Sequence, residues 1–281
     1  FVEELQFSGT ALDDRLDWQA GLYYEKSEPD GWSGVLSATF LTCPQLPSGG
    51  DPSSWQCLDA FGQGFVQTSV AKIEYENTAA YAQTTYAISD ELSLTAGLRY
   101  TKDKTEGTNA QVLYRGFPRA TPGAPASGPD CVLSAATGVS APDCRQELDT
   151  DSDAPTWLIG LDYLPTPDLM LYAKYSRGYR QGSLNMFAAE GVQKFDEEEV
   201  DAYEIGSKWS FDAPLPGTLN VALFYNELSD QQLQVGYSGD AAFTTGIVNA
   251  GSSTIQGAEV ESTLQLLEDL MFSLSYAYLD T

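Results

Sequence analysis

The stretch that decides the fold is Leu92–Tyr100, LSLTAGLRY, in which the character of the side chain changes at every position. Leucine, alanine and tyrosine occupy the even-numbered positions, and serine, threonine, glycine and arginine occupy the odd-numbered ones. Successive side chains of a β-strand point to opposite faces of the sheet. The stretch therefore predicts a strand with one apolar face and one polar face, and it places Arg99 on the polar face.

The same alternation recurs along the chain, at Leu16–Tyr24, Leu219–Asn226 and Leu270–Tyr278. Short turns rich in Pro, Gly, Asp or Ser are expected near Leu12–Asp14, Ser89–Glu91, Pro165–Asp168, Asp212–Gly217 and Leu267–Asp269. Long loops are expected between them, at about 27–68, 104–153 and 182–199. With no domain boundary visible, we predict one all-β domain over residues 1–281, with about ten antiparallel strands.

Composition excludes several classes of function. The net charge is -26 with only 14 Lys and Arg, which argues against nucleic-acid binding, and the absence of His removes imidazole chemistry. No run approaches the roughly 20 apolar residues of a membrane-spanning helix. Phosphate-binding glycine motifs and serine-nucleophile motifs are also missing. We therefore predict no enzyme activity, no cofactor and no metal site.

Four cysteines fall into two groups, Cys43 with Cys57 and Cys131 with Cys144, each in a segment rich in Gly, Pro, Ser and Asp. Three pairings are possible, and we expect a disulfide within each group because a short loop closure costs little chain entropy. A zinc site made of all four is disfavoured because CxxC spacing is absent. The disulfides imply an environment outside the cytoplasm.

The second half of the chain resembles the TonB-dependent outer-membrane receptors. The resemblance rests on five consecutive segments in the family's order: LMLYAKYSRGYRQGSLN from Leu169, EEEVDAYEIGSKWSF from Glu197, LNVALFYNELSDQQLQV from Leu219, NAGSSTIQGAEVESTL from Asn249, and LSYAYLDT at the end. Upstream, YAQTTYAISDELSLTAGLRYTKD from Tyr81 is similar to a receptor hairpin. We therefore identify the chain as part of such a receptor.

The resemblance implies a transmembrane β-barrel of about twenty-two strands in the outer membrane of a Gram-negative bacterium. It implies uptake of a scarce nutrient, a ferric siderophore first, with haem, cobalamin or an oligosaccharide as further possibilities. The partners would be TonB, acting through a plug region that this sequence lacks, the small-molecule nutrient and the lipid bilayer. With fewer strands than a family barrel, we expect an open curved sheet that does not insert stably alone. A passive porin-like channel and a soluble β-sandwich are the alternatives.

Two groups of candidate site residues follow. A charge facing hydrocarbon at mid-membrane would cost about 2–4 kcal/mol, so we expect charged strand residues to face the lumen: Arg99, Lys174, Glu204, Lys208, Glu259 and Glu261. They would contact a plug or ligand, or form ion pairs with neighbouring strands. Where a strand leaves the membrane, Arg177, Arg180, Gln181 and Asn185 could bind an anionic ferric chelate or a glycan, or serve structural hydrogen bonding.

Three further patterns carry weaker expectations. Gly21, Gly97, Gly160 and Gly206 interrupt strands, which predicts curvature or close packing at those positions. Asp149, Asp151 and Asp153 alternate as in a calcium loop, but Gly160 stands where the EF-hand pattern requires Glu. The acidic run from Asp196 to Asp201 is expected to be a solvated loop.

Overall fold

The structure is a computed structural model that describes residues 1–43, 55–117, 127–132, 144–188, 190–212, 214–238 and 243–281. Over these residues the regular secondary structure is entirely β. No helix in the described part of the chain is long and apolar enough to cross a membrane.

The strands are β1 (Val2–Ala11), β2 (Leu16–Ser27), β3 (Ser33–Thr39), β4 (Phe65–Ala87), β5 (Leu92–Arg115), β6 (Ser127–Cys131), β7 (Arg145–Thr166), β8 (Leu169–Arg180), β9 (Ser183–Leu184), β10 (Lys194–Phe195), β11 (Glu198–Phe211), β12 (Gly217–Ser229), β13 (Gln232–Ser238), β14 (Phe243–Asn249), β15 (Ser252–Leu267) and β16 (Leu270–Asp280). Ten of them form one antiparallel path in the order β1-β2-β4-β5-β7-β8-β11-β12-β15-β16. β3 pairs with the upper part of β4, β6 pairs with β5, and β9–β10 and β13–β14 form separate two-stranded ribbons.

The sheet is open, because in the described part of the chain β1 pairs only with β2, and β16 only with β15. This confirms the expected open antiparallel sheet with about ten strands. The β-sandwich alternative is wrong, because among the residues that the structure describes no second sheet packs against the apolar side chains. The expected short turns are present at one end of the sheet, for example at Leu12–Arg15 and Glu268–Asp269.

The expected loop over 104–153 is wrong at both of its ends. β5 continues to Arg115 and β7 begins at Arg145, and the two strands pair up to Ala110 opposite Arg145. In this upper part the side chains are largely polar on both faces, so apolar alternation does not reveal the strands. The expected loop at 27–68 likewise contains β3 and the start of β4, and the one at 182–199 contains the short β9–β10 ribbon.

A fourth long connection, between β12 and β15, was not predicted. It carries the β13–β14 hairpin, and Ala250 and Gly251 separate β14 from β15. Gly251 has a φ of 66°, a left-handed conformation that favours glycine and ends β14.

The sheet has two faces of opposite character. One, the apolar face, presents large side chains to the exterior: Leu98 is 58% exposed and Ile205 is 56% exposed. The other, the polar face, carries Arg99, Glu204 and the residues paired with them. The small buried core of Trp55, Cys57, Val66 and Phe117 lies instead at the upper end of β4 and in the segments next to the upper ends of β4 and β5. A chain whose largest apolar surface stays uncovered is built to meet an apolar environment.

Aromatic rings cover two of the strand glycines on the polar face. A Cβ atom added to Gly21 would lie 2.5 Å from the Tyr81 hydroxyl oxygen, and one added to Gly206 would lie 2.6 Å from the Tyr172 ring. Close packing therefore explains these glycines, as the sequence suggested. It does not explain Gly160, whose nearest neighbour would be 3.9 Å away.

Candidate ligand-facing surface

The six charged residues expected in the lumen all lie on the polar face. Cross-strand pairing puts Lys174 opposite Glu204, while Lys208, Glu259, Glu261 and Arg99 follow the same parity in their strands. The Lys174 ammonium is 3.5 Å from Glu204, and the Tyr172 hydroxyl donates to the same carboxylate at 2.7 Å. In the described part of the chain, Glu259 and Glu261 form no ion pair. Ion pairing thus accounts for Lys174 and Glu204 alone.

The four residues expected to share a ligand site do not all come together. Arg177 lies on the apolar face, where its guanidinium stacks 4.7 Å from the Trp157 ring centroid. Its Nε donates to Asp201 at 2.9 Å, and its Nη1 is 3.5 Å from Glu199. This is a structural arrangement on the side of the sheet opposite the polar face.

Arg177 stands beside a row of aromatic rings that crosses four neighbouring strands. Trp157 meets Tyr175 edge to face at 6.2 Å, Tyr175 stacks on Tyr203 at 4.7 Å, and Tyr225 follows at 6.3 Å. Amphipathic rings of this kind collect where a membrane meets water.

Arg180 and Gln181 border an open cavity of about 560 Å³ on the polar side, together with Glu25, Tyr75 and Asn77. The Arg180 side chain is 58% exposed and is held by Glu198 at 3.0 Å. The backbone carbonyl of Gln181 accepts a hydrogen bond from the Gln232 side-chain amide at 2.9 Å. The Gln181 side chain itself makes no hydrogen bond in the described structure. Of the four candidates, these two border this cavity.

Asn185 is buried and its side chain is fully used. The amide donates to the carbonyls of Val192 at 2.8 Å and Ile247 at 2.7 Å, and the oxygen accepts from the Ile247 N–H at 2.8 Å. Asn185 therefore joins the 182–196 connection to the β13–β14 hairpin. The structural alternative raised from the sequence is the one that this geometry supports.

Sequence reasoning missed a second clamp of the same kind, at Asn249. Its amide donates to the carbonyls of Asp196 at 2.9 Å, Glu197 at 3.1 Å and Asp230 at 2.8 Å. Its oxygen accepts from the Asp196 N–H at 2.7 Å. The Asn-Ala-Gly motif that begins with this residue was the available signal, because a turn asparagine commonly binds nearby backbone.

The connection that contains Asn185 also covers the upper polar face of β5. A Cβ atom at Gly107 would meet the Met186 sulfur at 2.6 Å and the Leu184 Cδ1 at 2.8 Å. Asn109, which is fully buried, donates from its amide to the Met186 carbonyl. The 182–188 segment therefore lies directly against the strands that rise above the rest of the sheet.

Both disulfides are formed within their groups, Cys43 with Cys57 and Cys131 with Cys144. Next to the first, the Asp59 carboxylate accepts from the backbone N–H groups of Phe61 and Gln63 at 3.2 Å, Gly62 at 2.7 Å and Gly64 at 2.9 Å. Burial acts to raise the pKa of Asp59, but these four donors outweigh it and hold that pKa below its ordinary value. Asp59 thus fixes the turn that follows the disulfide.

The acidic groups noted in the sequence form no metal centre. Asp149, Asp151 and Asp153 lie along extended β7, opposite Glu106, Lys104 and Lys102 of β5. No cluster of three metal-ligating side chains exists in the part of the chain that the structure describes. The solvated loop expected over Asp196 to Asp201 is also wrong at its end, because Glu198 and Asp201 belong to β11 and bind Arg180 and Arg177.

Comparison with known proteins settles the family. The model of TonB-dependent receptor-like β-barrels matches residues 4–281. The chain belongs to this family. The family consists of transport receptors of the Gram-negative outer membrane, and not of enzymes.

This chain matches only part of the length of the similar proteins. The pesticin receptor of Yersinia enterocolitica is 26% identical over 189 residues, which are 66% of this chain and 23% of the receptor. A probable TonB-dependent siderophore receptor, PiuA of Acinetobacter baumannii, is 27% identical over 140 residues, 47% of this chain and 18% of that protein. The chain therefore spans about a quarter or less of these relatives.

Solved structures agree on the fold. The ferric yersiniabactin uptake receptor FyuA of Yersinia pestis superposes with a TM-score of 0.65 at 18% identity, over 99% of this chain and 34% of that one. At this identity the likeness concerns the fold alone. It confirms that the open sheet has the architecture of a receptor barrel segment.

Proposed function

We propose that this chain is the barrel portion of an outer-membrane receptor that imports a scarce nutrient, with energy supplied through TonB. The observation that carries the proposal is the division of one twelve-stranded sheet into an exposed apolar face and a charged polar face, in a chain of this family. The apolar face would contact lipid, and the row from Trp157 to Tyr225 would lie at one membrane surface.

A ferric siderophore is the ligand class we favour. One relative is described as a probable siderophore receptor, and the superposable structure is a ferric yersiniabactin uptake receptor. We propose that Arg180 and Gln181, at the exposed cavity, meet the ligand on its way in. The charged residues of the polar face, such as Glu204 and Glu259, would contact the plug or the ligand below that point.

The test uses the full reading frame that contains this segment, expressed in a Gram-negative host with and without TonB. Heat-modifiable migration of the outer-membrane fraction would show that a barrel has formed. Uptake of radiolabelled ferric siderophores is expected, and it should stop when TonB is deleted. TonB-independent diffusion of small solutes would instead establish a passive channel and overturn the proposal.

A matched pair of variants addresses the ligand-facing residues. We expect Arg180→Gln to reduce ferric-siderophore binding about tenfold, because a charge-assisted contact is lost. The control is Lys102→Gln. Lys102 lies in β5 on the face that carries Leu98, away from the cavity, so its replacement should leave binding unchanged. Equal binding by wild type and the Arg180 variant would remove Arg180 from the site.

A further inference from the structure

Arg99 is a cation of the polar face whose charge is not paired with a carboxylate. Over Leu92–Asp103 and the strand segments paired with it, all of which the structure describes, Arg99 is the only Lys or Arg on this face. No carboxylate of the described residues lies within ion-pair distance of its guanidinium. In a chain with a net charge of -26, an unpaired arginine among many carboxylates needs an explanation.

The surrounding side chains fix the position of this guanidinium. Its Cζ atom lies 5.2 Å from the ring centroid of Tyr23 and 5.9 Å from that of Tyr81. Its Nε donates to the Thr101 hydroxyl at 3.0 Å. Stacking on aromatic rings orients a guanidinium without consuming its donors, so the four N–H groups of the two terminal nitrogens stay available.

The nearest carboxylates are directed to other partners. Glu4 accepts from the Tyr81 hydroxyl at 2.5 Å, Glu25 accepts from the Tyr23 hydroxyl at 2.7 Å, and Asp103 accepts from the Asn77 amide at 2.5 Å. The two tyrosines thus stack on Arg99 while their hydroxyl groups hold two carboxylates. The arginine is left open to a cavity of about 550 Å³, which Gln6, Gln19 and Gln83 also line.

We propose that Arg99 is a binding site for a single carboxylate group of the transported ligand. A planar guanidinium with free terminal nitrogens matches a carboxylate in bidentate geometry. Glu4, Glu25 and Asp103 around it repel ligands that carry several negative charges, and the glutamines offer neutral hydrogen bonds to the remainder. The assignment rests on the proposed function, because it requires that a ligand pass along the polar face.

The test is a titration of the purified full-length receptor with acetate, and in parallel with tricarballylate, which carries three carboxylates. A 3-fluorotyrosine at position 81 reports binding beside Arg99 through its fluorine NMR signal. Acetate is expected to shift this signal saturably, and tricarballylate to bind more weakly. Arg99→Gln should abolish the saturable shift, and Arg99→Lys, which keeps the charge but loses the fork, should weaken acetate binding about tenfold.

Lys102→Gln, on the other face of the same strand, is the matched control and should titrate like wild type. Heat-modifiable migration checks that each variant folds. An acetate shift that survives Arg99→Gln, or tighter binding of tricarballylate than of acetate, overturns the proposal. A third pair of results would also overturn the proposal: acetate causes no shift in wild type, and Arg99→Gln makes the lumen more accessible to protease. Arg99 would then bind a carboxylate of the receptor itself.

The titration is independent of transport, so the two proposals can fail separately. Saturable acetate binding at Arg99 in a receptor that shows no TonB-dependent uptake would leave the site standing and remove the proposed function. TonB-dependent uptake with no acetate response at Arg99 would do the reverse.

Discussion

Tyr172 lies over Gly206 so closely that the strand has no room for a side chain there. An added Cβ would lie 2.6 Å from both the ring and the Val221 carbonyl oxygen, which is backbone and cannot turn away. We expect Gly206→Ala to destabilise the barrel by about 1–3 kcal/mol, the usual cost of overpacking. The measurement is the urea concentration at which the folded, heat-modifiable form of the full-length receptor disappears.

Gly160→Ala is the control for that prediction. The added methyl would meet nothing closer than Thr95 at 3.9 Å, so the urea midpoint should not fall. If both alanine variants lose the same stability, loss of glycine itself and not ring packing would be responsible.

Asp59 makes the turn after the Cys43–Cys57 disulfide sensitive to acid. Its pKa is lower in the folded chain than in the unfolded one, so its contribution to stability is complete above the unfolded value, about 3.9, and is lost as pH falls through the folded value. Pepsin digestion of the intact receptor should therefore cut this turn faster as pH decreases below about 4.

Asp59→Asn should remove that pH dependence. The amide oxygen can still accept from the N–H groups of Phe61, Gly62 and Gln63, but the amide NH2 group would face the Gly64 N–H, so the turn is expected to be cut more readily than in wild type at every pH tested. Asp30→Asn, at an exposed position, should behave like wild type. An unchanged pH profile in the Asp59 variant would contradict this account of the turn.

Residue parity was available in the sequence and separates two of the candidate ligand residues. Arg177 and Arg180 are three positions apart in one strand, so alternation alone places them on opposite faces. The prediction that grouped them followed their nearness in sequence. Alternation predicts that Arg99, Glu204 and Glu259 share the face opposite Leu98 and Ile205, where a charge would be costly, and the strand pairing puts the three on one face.

At the scale of elements, the strands with a continuous apolar face could be predicted and their upper extensions could not. Leu92–Tyr100 shows its pattern because one face must be apolar, whereas Lys102–Thr108 is polar on that face. Above Tyr100 the strand is held instead by backbone pairing with β4 and β7 and by the 182–188 segment on Gly107. These are contacts between distant segments, which local periodicity does not contain.

Asn249 joins two connections, the one between β8 and β11 and the one between β12 and β15, so a small change in its side chain should have a large effect. Asn249→Asp replaces three amide donor contacts by a carboxylate facing the carbonyls of Asp196, Glu197 and Asp230. An unsatisfied group of this kind costs about 1–3 kcal/mol, so hydrogen exchange over 182–197 and 230–251 should become faster.

Asn226→Asp is the matched control, because Asn226 makes no side-chain hydrogen bond in the described structure and lies on the polar face of β12. Its exchange pattern should stay that of wild type. Unchanged exchange in both variants would show that the clamp does not stabilise the connections.

At the scale of the whole molecule, the uncovered apolar face and the charged polar face are both expected of a sheet that has lipid on one side and a polar lumen on the other. Ten strands pair in an unbroken antiparallel path, so the backbone groups of the eight inner strands are satisfied between neighbours, as hydrocarbon requires. The exposed side chains Leu98, Ile205 and Leu223 then match lipid and not water. In the full-length receptor, the effect of a charge should therefore depend on the face and not on the depth alone.

Leu98→Arg and Gln83→Arg test this dependence at neighbouring positions. Leu98 is on the apolar face, where arginine near the membrane midplane should cost about 2–4 kcal/mol. Gln83 lies opposite Gly97 on the polar face and borders the open cavity, where arginine should be tolerated. Outer-membrane assembly, followed by heat-modifiable migration, should fall for Leu98→Arg and stay near wild type for Gln83→Arg. Equal assembly of the two variants would mean that the apolar face does not contact lipid. The proposal that the polar face lines the lumen would then fail as well.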